Sequence, residues 1–331
     1  MDNFVFSVVT SVFTVGGLIG SAIANIFMDK YGRRGSARIS AFCVALGSAI
    51  MGLSGGVTAL SFGRFLVGIG SGIGICLGPV YLAEIAPKGI AGTVDSSSDP
   101  LLDESDPEAH PTEPTSHTPQ TALTIPQILF HTPADVRKPL VIITCAMIGQ
   151  QISGINAVLY YSTDILSQSL PELGKYVSLG ITVVNVLMTF PPIFLAEKMG
   201  RKRLLMISTS SALVCLLMVG IGLNKNWVTI SSIFIIGFVM SFAVGLGPIP
   251  FVMIPEVSPY HSVSGLSSIA LTLNWFTNFI VGLFFLPLRN LLAGGDPSDG
   301  GDPSKQGRVF WVFAVALLTV MSVVGKMWKA N

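Results

Sequence analysis

Nine stretches of this 331-residue chain run for about twenty residues each almost without charge, and no other feature restricts its fold as much. The hydrocarbon core of a bilayer is about 30 Å thick and a helix rises about 1.5 Å per residue, so about twenty apolar residues cross it. The runs extend from Phe4 to Ile26, Ala37 to Leu53, Phe65 to Ala83, Leu140 to Tyr161, Val177 to Leu195, Leu204 to Leu223, Val228 to Ile254, Leu266 to Leu288 and Val309 to Val324. Arg38, at a helix end, is the only charge within these limits. Backbone amides in lipid must be paired within their own segment, so the runs predict an all-α membrane protein with nine transmembrane helices. Composition agrees: 50% of residues are hydrophobic and only 11% charged, against about 25% charged in a soluble domain. A net charge of +1 leaves no basic surplus for a nucleic-acid backbone. Soluble enzymes and nucleic-acid binders are therefore excluded as classes.

The basic residues give the direction of crossing. Lys30, Arg33, Arg34 and Arg38 follow the first run, and Lys198, Arg201, Lys202 and Arg203 follow the fifth, so both loops belong on the cytoplasmic side. Counting from them, the first run starts outside, Gly92 to Lys138 is cytoplasmic and Arg289 to Arg308 is external. The flank Met1-Asp2-Asn3 lacks a basic residue, so the first run is expected to stay as a helix rather than be removed as a signal peptide. Between Asp95 and Thr118 lie seven acids, no Lys or Arg, and many Ser, Thr and Pro, the composition of a disordered linker. Its Leu101-Leu102 pair reads either as a sorting signal or as ordinary linker. Thr124 to Lys138 mixes apolar and polar residues and predicts a short surface helix.

Two pieces recur. Asp29-Lys30-Tyr31-Gly32-Arg33-Arg34 returns as Glu197-Lys198-Met199-Gly200-Arg201-Lys202, 168 residues later, and Glu84-Ile85-Ala86-Pro87 returns as Glu256-Val257-Ser258-Pro259, 172 residues later. Matching offsets imply a duplicated unit. Acids and arginines at cytoplasmic helix ends can pair as a latch involving Asp29, Arg33, Arg34, Glu84, Glu197, Arg201 and Glu256; alternatively they only set topology. The halves are unequal, with three spans in residues 1–93, an acidic linker with a short helix in 94–138, and six spans in 139–331.

These repeats, with GRFLVGIGSG (Gly63 to Gly72), PVYLAEIAPKGIAGT (Pro79 to Thr93), QQISGINAVLYYS (Gln150 to Ser162), GLGPIPF (Gly245 to Phe251), PEVSP (Pro255 to Pro259) and NWFTNF (Asn274 to Phe279), resemble the sugar porter family of the major facilitator superfamily. The resemblance implies a helical bundle of two six-helix halves. On that pattern the nine runs correspond to helices two, three, four and seven to twelve, and helices one, five and six are absent. Departures are Phe251 where the family has Trp, Ala243 where many hexose transporters have Glu, and Ala91 where the first-half latch has Arg.

An unpaired amide in hydrocarbon is costly, so uncharged polar residues inside spans are the informative ones. Gln150, Gln151, Ser153 and Asn156 occupy one run, Asn185 the next, and Asn274 and Asn278 the eighth. Asn274 and Asn278 are four apart and share a face, whereas a regular helix would set Gln150 and Asn156 about 120° apart unless Gly154 relaxes it. Side-chain amides both donate and accept, which suits a polyol; the competing reading for each is helix-to-helix glue. The resemblance carries sugar contacts onto Gln150, Gln151, Asn156, Asn185, Asn274, Asn278 and the Phe251 position. Gly245, Gly247, Pro248 and Pro250 predict a bend in the seventh run. Gly68, Gly70, Gly72 and Gly74 lie within a span and read as close helix packing rather than a nucleotide loop.

Cys43, Cys76, Cys145 and Cys215 lie in apolar runs without disulfide or zinc spacing, and His110, His117, His131 and His261 lack paired ligands. No metal, cofactor or catalytic site is expected, and the chain is not read as an enzyme. The expected function is transport of a hexose or related polyol by alternating access, with facilitated diffusion favoured because no span interior carries a titratable group. The expected setting is the plasma membrane or a vacuolar or lysosomal-type membrane, with a membrane partner as a possible source of the missing helices. The other reading is a non-transporting sensor or regulatory remnant, or a truncated gene model of a sugar transporter.

Overall fold

The computed structural model of the chain describes residues 3–85, 125–130, 132–156, 158–159, 183–188, 190–294 and 305–329. Among the described residues all regular structure is helical: α1 (Asn3–Gly52), α2 (Val57–Ile85), α3 (Ile125–Phe130), α4 (Ala134–Ile152), α5 (Pro191–Met199), α6 (Arg201–Asn224), α7 (Val228–Ser241), a π-helical turn (Phe242–Leu246), α8 (Ile249–Val257), a 3-10 turn (Tyr260–Ser262), α9 (Val263–Ala293) and α10 (Arg308–Lys329). Six segments among them are long and apolar enough to cross a membrane: Ser11–Gly52, Val57–Tyr81, Arg201–Asn224, Val228–Val257, Val263–Ala293 and Arg308–Met327. The chain is a multi-pass integral membrane protein.

Six segments against nine runs has a local explanation in each place. The first segment holds two runs, because the expected loop after Ile26 is compressed into a corner at Gly32, whose φ of 69° is open to glycine. Ser36 Oγ donates to the Gly32 carbonyl at 2.9 Å and Arg33 Nη1 to the Met28 carbonyl at 3.2 Å, so the groups freed at the corner are paired. The fourth run is helical as α4 to Ile152 and then breaks, and residues 160–182 lie outside the described residues. What is described of the fifth run falls into two pieces, 183–187 and α5, with Pro191 and Pro192 opening the second. The acidic linker lies outside the described residues, while α3 occupies part of the stretch read as a surface helix.

Helices α1 and α2 pack most extensively, and α1 also lies along α9. A Cβ on Gly16, Gly20, Gly68 or Gly72 would run into the backbone of the facing helix, so these glycines set the α1–α2 distance. Cores of buried side chains then form on both sides of α4. One joins α6, α7 and α10 around Phe238, Leu216 and Phe310. A second joins α1, α2, α4, α8 and α9 around Met28, Cys76, Met147 and Leu271. A small third cluster seats Ile128 of α3 against Val136, Leu266 and Ile269.

Candidate functional site

Two backbone irregularities shape the site. After Ile152, α4 caps on Ser153, and Gly154 adopts φ +76° before helix resumes at Ile155. A Cβ there would be strained by that dihedral and would meet the Phe313 ring at 3.1 Å. Between α7 and α8 the ladder changes register: Gly247 N–H donates to the Phe242 carbonyl at 2.8 Å, five residues back. Pro248 and Pro250 contribute no N–H, so the carbonyl of Leu246 loses the helical donor that residue 250 would supply.

A chain of amides crosses this ground. Gln150 Nε2 donates to the carbonyls of Leu246 at 3.0 Å and Gly247 at 2.7 Å, covering the break. Asn274 Nδ2 donates to Gln150 Oε1 at 2.7 Å and to the Met147 carbonyl at 3.0 Å. Gln151 Nε2 donates to Asn274 Oδ1 at 3.0 Å. Asn156 Nδ2 donates to Gln151 Oε1 at 3.2 Å and Asn278 Oδ1 at 2.7 Å. The break at Gly154 is what lets Asn156 reach the side on which Gln151 and Asn278 lie, against the regular-helix expectation.

The two ends of this network differ in chemistry. Gln150 and Asn274 are only 3% and 7% exposed, and their donors are committed to protein acceptors. Gln151, Asn156 and Asn278 are half-buried, and Asn156 Oδ1 and Asn278 Nδ2 have no hydrogen-bond partner among the described residues. An acceptor and a donor side by side, together with the second N–H of Gln151, match a hydroxyl-bearing ligand. The buried end is committed to protein partners, while the half-buried end keeps unspent donors and acceptors.

Two expected contacts are not among the five connected amides. Asn185 is exposed on the short 183–187 helix. Phe251 of α8 is half-buried and packs against the second core, with Met147, whose carbonyl accepts from Asn274, in the same cluster. Of the charged repeats, Arg201 and Glu256 form an ion pair between the start of α6 and the end of α8. Asp29 and Arg34 are exposed, Arg33 donates to the Met28 carbonyl, and the side chains of Glu84 and Glu197 lie outside the described residues. Ala243 is buried in the π-helical turn.

Sequence reasoning missed Ser208. Its hydroxyl donates to the Ser241 carbonyl at 2.6 Å and accepts from Leu246 N–H at 2.8 Å, tying α6 across the π-helical turn. No spacing within α6 signals this, because its partners lie 33 and 38 positions away. Trp275 was noticed only as part of a motif; its ring meets Phe13 edge-on at 5.6 Å, and a Cβ on Gly17 would lie 2.6 Å from it.

Comparison with known proteins agrees with this architecture. A probable metabolite transport protein of Saccharomyces cerevisiae is 27% identical over 370 positions, covering 88% of this chain and 75% of that one. Facilitated glucose transporter member 1 of solute carrier family 2 from Gallus gallus is 28% identical, covering 86% and 74%. The solved structure of the proton:xylose symporter XylE bound to 6-bromo-6-deoxy-D-glucose superposes with a TM-score of 0.72 at 17% identity, over 98% of this chain and 86% of that one. That likeness shows the all-helical major facilitator fold. The sequence model of the family described as sugar (and other) transporter matches residues 2–100 and 105–328, nearly the whole chain, and the chain belongs to that family.

Proposed function

We propose that this chain moves a hexose or related polyol across a membrane by alternating access. The observation that carries the reading is the half-buried end of the amide network, where Gln151, Asn156 and Asn278 offer unspent donors and acceptors beside two broken helices. Each neutral hydrogen bond contributes about 0.5–1.5 kcal/mol net, so several bind a sugar and still release it. Asn185 and Phe251 belong to this proposal as further sugar contacts. The five connected amides include no titratable group, which supports facilitated diffusion over proton coupling.

The proposed organisation is nine spans, three in 1–93 and six in 139–331, joined by a cytoplasmic linker over 94–138. The yeast alignment has 370 positions but takes in 88% of this chain, so about 80 positions of the relative have no counterpart within it. Unmatched positions in that number are enough to hold the two adjacent helices proposed as absent, at about twenty residues each. A membrane partner is one way to complete the path. The charged repeats act as cytoplasmic latches, with Arg201–Glu256 as the formed copy.

Uptake of labelled hexose by liposomes holding the purified chain tests the reading, with Gln151→Ala and Asn156→Ala alongside. Saturable uptake that both substitutions weaken is expected; entry no faster than into empty vesicles, with the protein folded, rejects it.

A further inference from the structure

Below the amide network, towards the end of α9 nearest the basic corner of α1, polar side chains are buried between helices. Ser21 and Thr272 share a hydroxyl–hydroxyl hydrogen bond at 3.2 Å, and Ser264 Oγ donates to Asn25 Oδ1, both joining α1 to α9. Ser21 and Asn25 are 0% and 6% exposed. Between these ties lie Ser267 and Ser268, each 0% exposed, and neither hydroxyl has a hydrogen-bond partner among the described residues.

Helical geometry says where these two hydroxyls stand. Ser268 is four residues from Ser264 and four from Thr272, so it lies on the strip of α9 tied to α1. Ser267 precedes Asn274 by seven residues and Asn278 by eleven, each within about 20° of the same direction around the helix. The line of α9 that carries the network's asparagines therefore continues, about 10 Å further along, to a buried and unpaired hydroxyl. Buried hydroxyls are ordinarily paired, and leaving one unpaired disfavours the state in which it is buried. Two neighbours in that condition, Ser267 on the line of the binding amides and Ser268 on the strip tied to α1, are explained by a second state in which water or a polyol reaches them.

We infer that Ser267 and Ser268 line the inner half of the sugar path, closed in this structure by the Asn25–Ser264 and Ser21–Thr272 ties. The inference rests on the transport reading and adds to it a transit surface and the contacts that shut it. Opening breaks two hydrogen bonds between α1 and α9 and hydrates two hydroxyls that the closed state leaves unpaired, so the exchange is nearly balanced, as a gate requires.

Ser267→Cys in the full chain, with Cys43, Cys76, Cys145 and Cys215 replaced by Ala, gives a direct test in liposomes using a membrane-impermeant methanethiosulfonate without sugar. Labelling from the face bearing Lys30 and Arg33 is expected, and Asn25→Ala should raise its rate about tenfold through loss of one tie. No labelling of the monodisperse protein from that face, or a rate indifferent to Asn25→Ala, overturns the inference. A second readout needs no cysteine. Ser267→Ala and Ser268→Ala should raise the melting temperature and slow hexose exchange together, whereas a lowered melting temperature, as a structural hydroxyl would give, overturns it. Failure of the unsubstituted chain to take up hexose rejects transport itself, and the labelling result is read separately from that.

Discussion

The side-chain amide of Gln150 donates at 3.0 Å to the main-chain carbonyl of Leu246, whose ordinary helical donor would have been the N–H that Pro250 lacks. A residue on α4 thus completes the backbone of the α7–α8 break, and the same side chain accepts from Asn274. Binding-site geometry and helix-break geometry are held by one amide.

Gln150→Ala should therefore act first on stability. It leaves the Leu246 and Gly247 carbonyls without the Gln150 donor and one N–H of Asn274 without its Gln150 acceptor, and each buried unsatisfied group costs about 1–3 kcal/mol. A fall in melting temperature in detergent is expected, together with lost uptake. An unchanged melting temperature would contradict the scaffold role.

Asn156→Ala and Asn278→Ala should behave differently. They give up half-buried hydrogen bonds along with their spare groups, so stability falls less than for Gln150→Ala while apparent sugar affinity falls about three- to tenfold for each. Concentration dependence of uptake, measured beside thermal melts of the same preparations, separates the two effects; equal losses in both would place these residues in the scaffold with Gln150.

Gly154→Ala forces a Cβ onto a backbone at φ +76° and towards the Phe313 ring at 3.1 Å. The dihedral alone costs about 1–2 kcal/mol. Melting should drop, and Asn156 should lose its reach to Asn278. Normal stability and uptake would mean that the break can move elsewhere in the segment.

Arg201 and Glu256 are 43% and 30% exposed, so their pairing energy is screened, and a double-mutant cycle on melting should return less than about 1 kcal/mol. If the pair is a latch, Arg201→Glu should alter the rate of exchange more than stability, with partial recovery on adding Glu256→Arg. Identical rates in the single and double variants would reduce the pair to topology-setting charge.

Most of the spans were legible because twenty-residue apolar stretches have few alternatives in hydrocarbon. Their corners were not. The turn at Gly32 needs a single residue of positive φ, while charge counting around Lys30 and Arg38 implied a longer loop. At the site, the residue types Gln150, Gln151, Asn156, Asn274 and Asn278 could be picked out because amides stand out among aliphatic neighbours. Their pairing could not: Gln151 and Asn274 are 123 positions apart, and no period within either helix encodes which amide donates to which. Nor does spacing reveal that Asn278 is the residue brought within reach of Asn156 by the break at Gly154.

Helix α9 runs 31 residues from Val263 to Ala293, with its interior proline, Pro287, far beyond Asn278. The stretch bearing Ser264, Thr272, Asn274 and Asn278 is consequently a single stiff lever. On the proposed function, a push on its asparagines would reach the ties on α1 as the same rigid displacement, with no interior proline between them to absorb it.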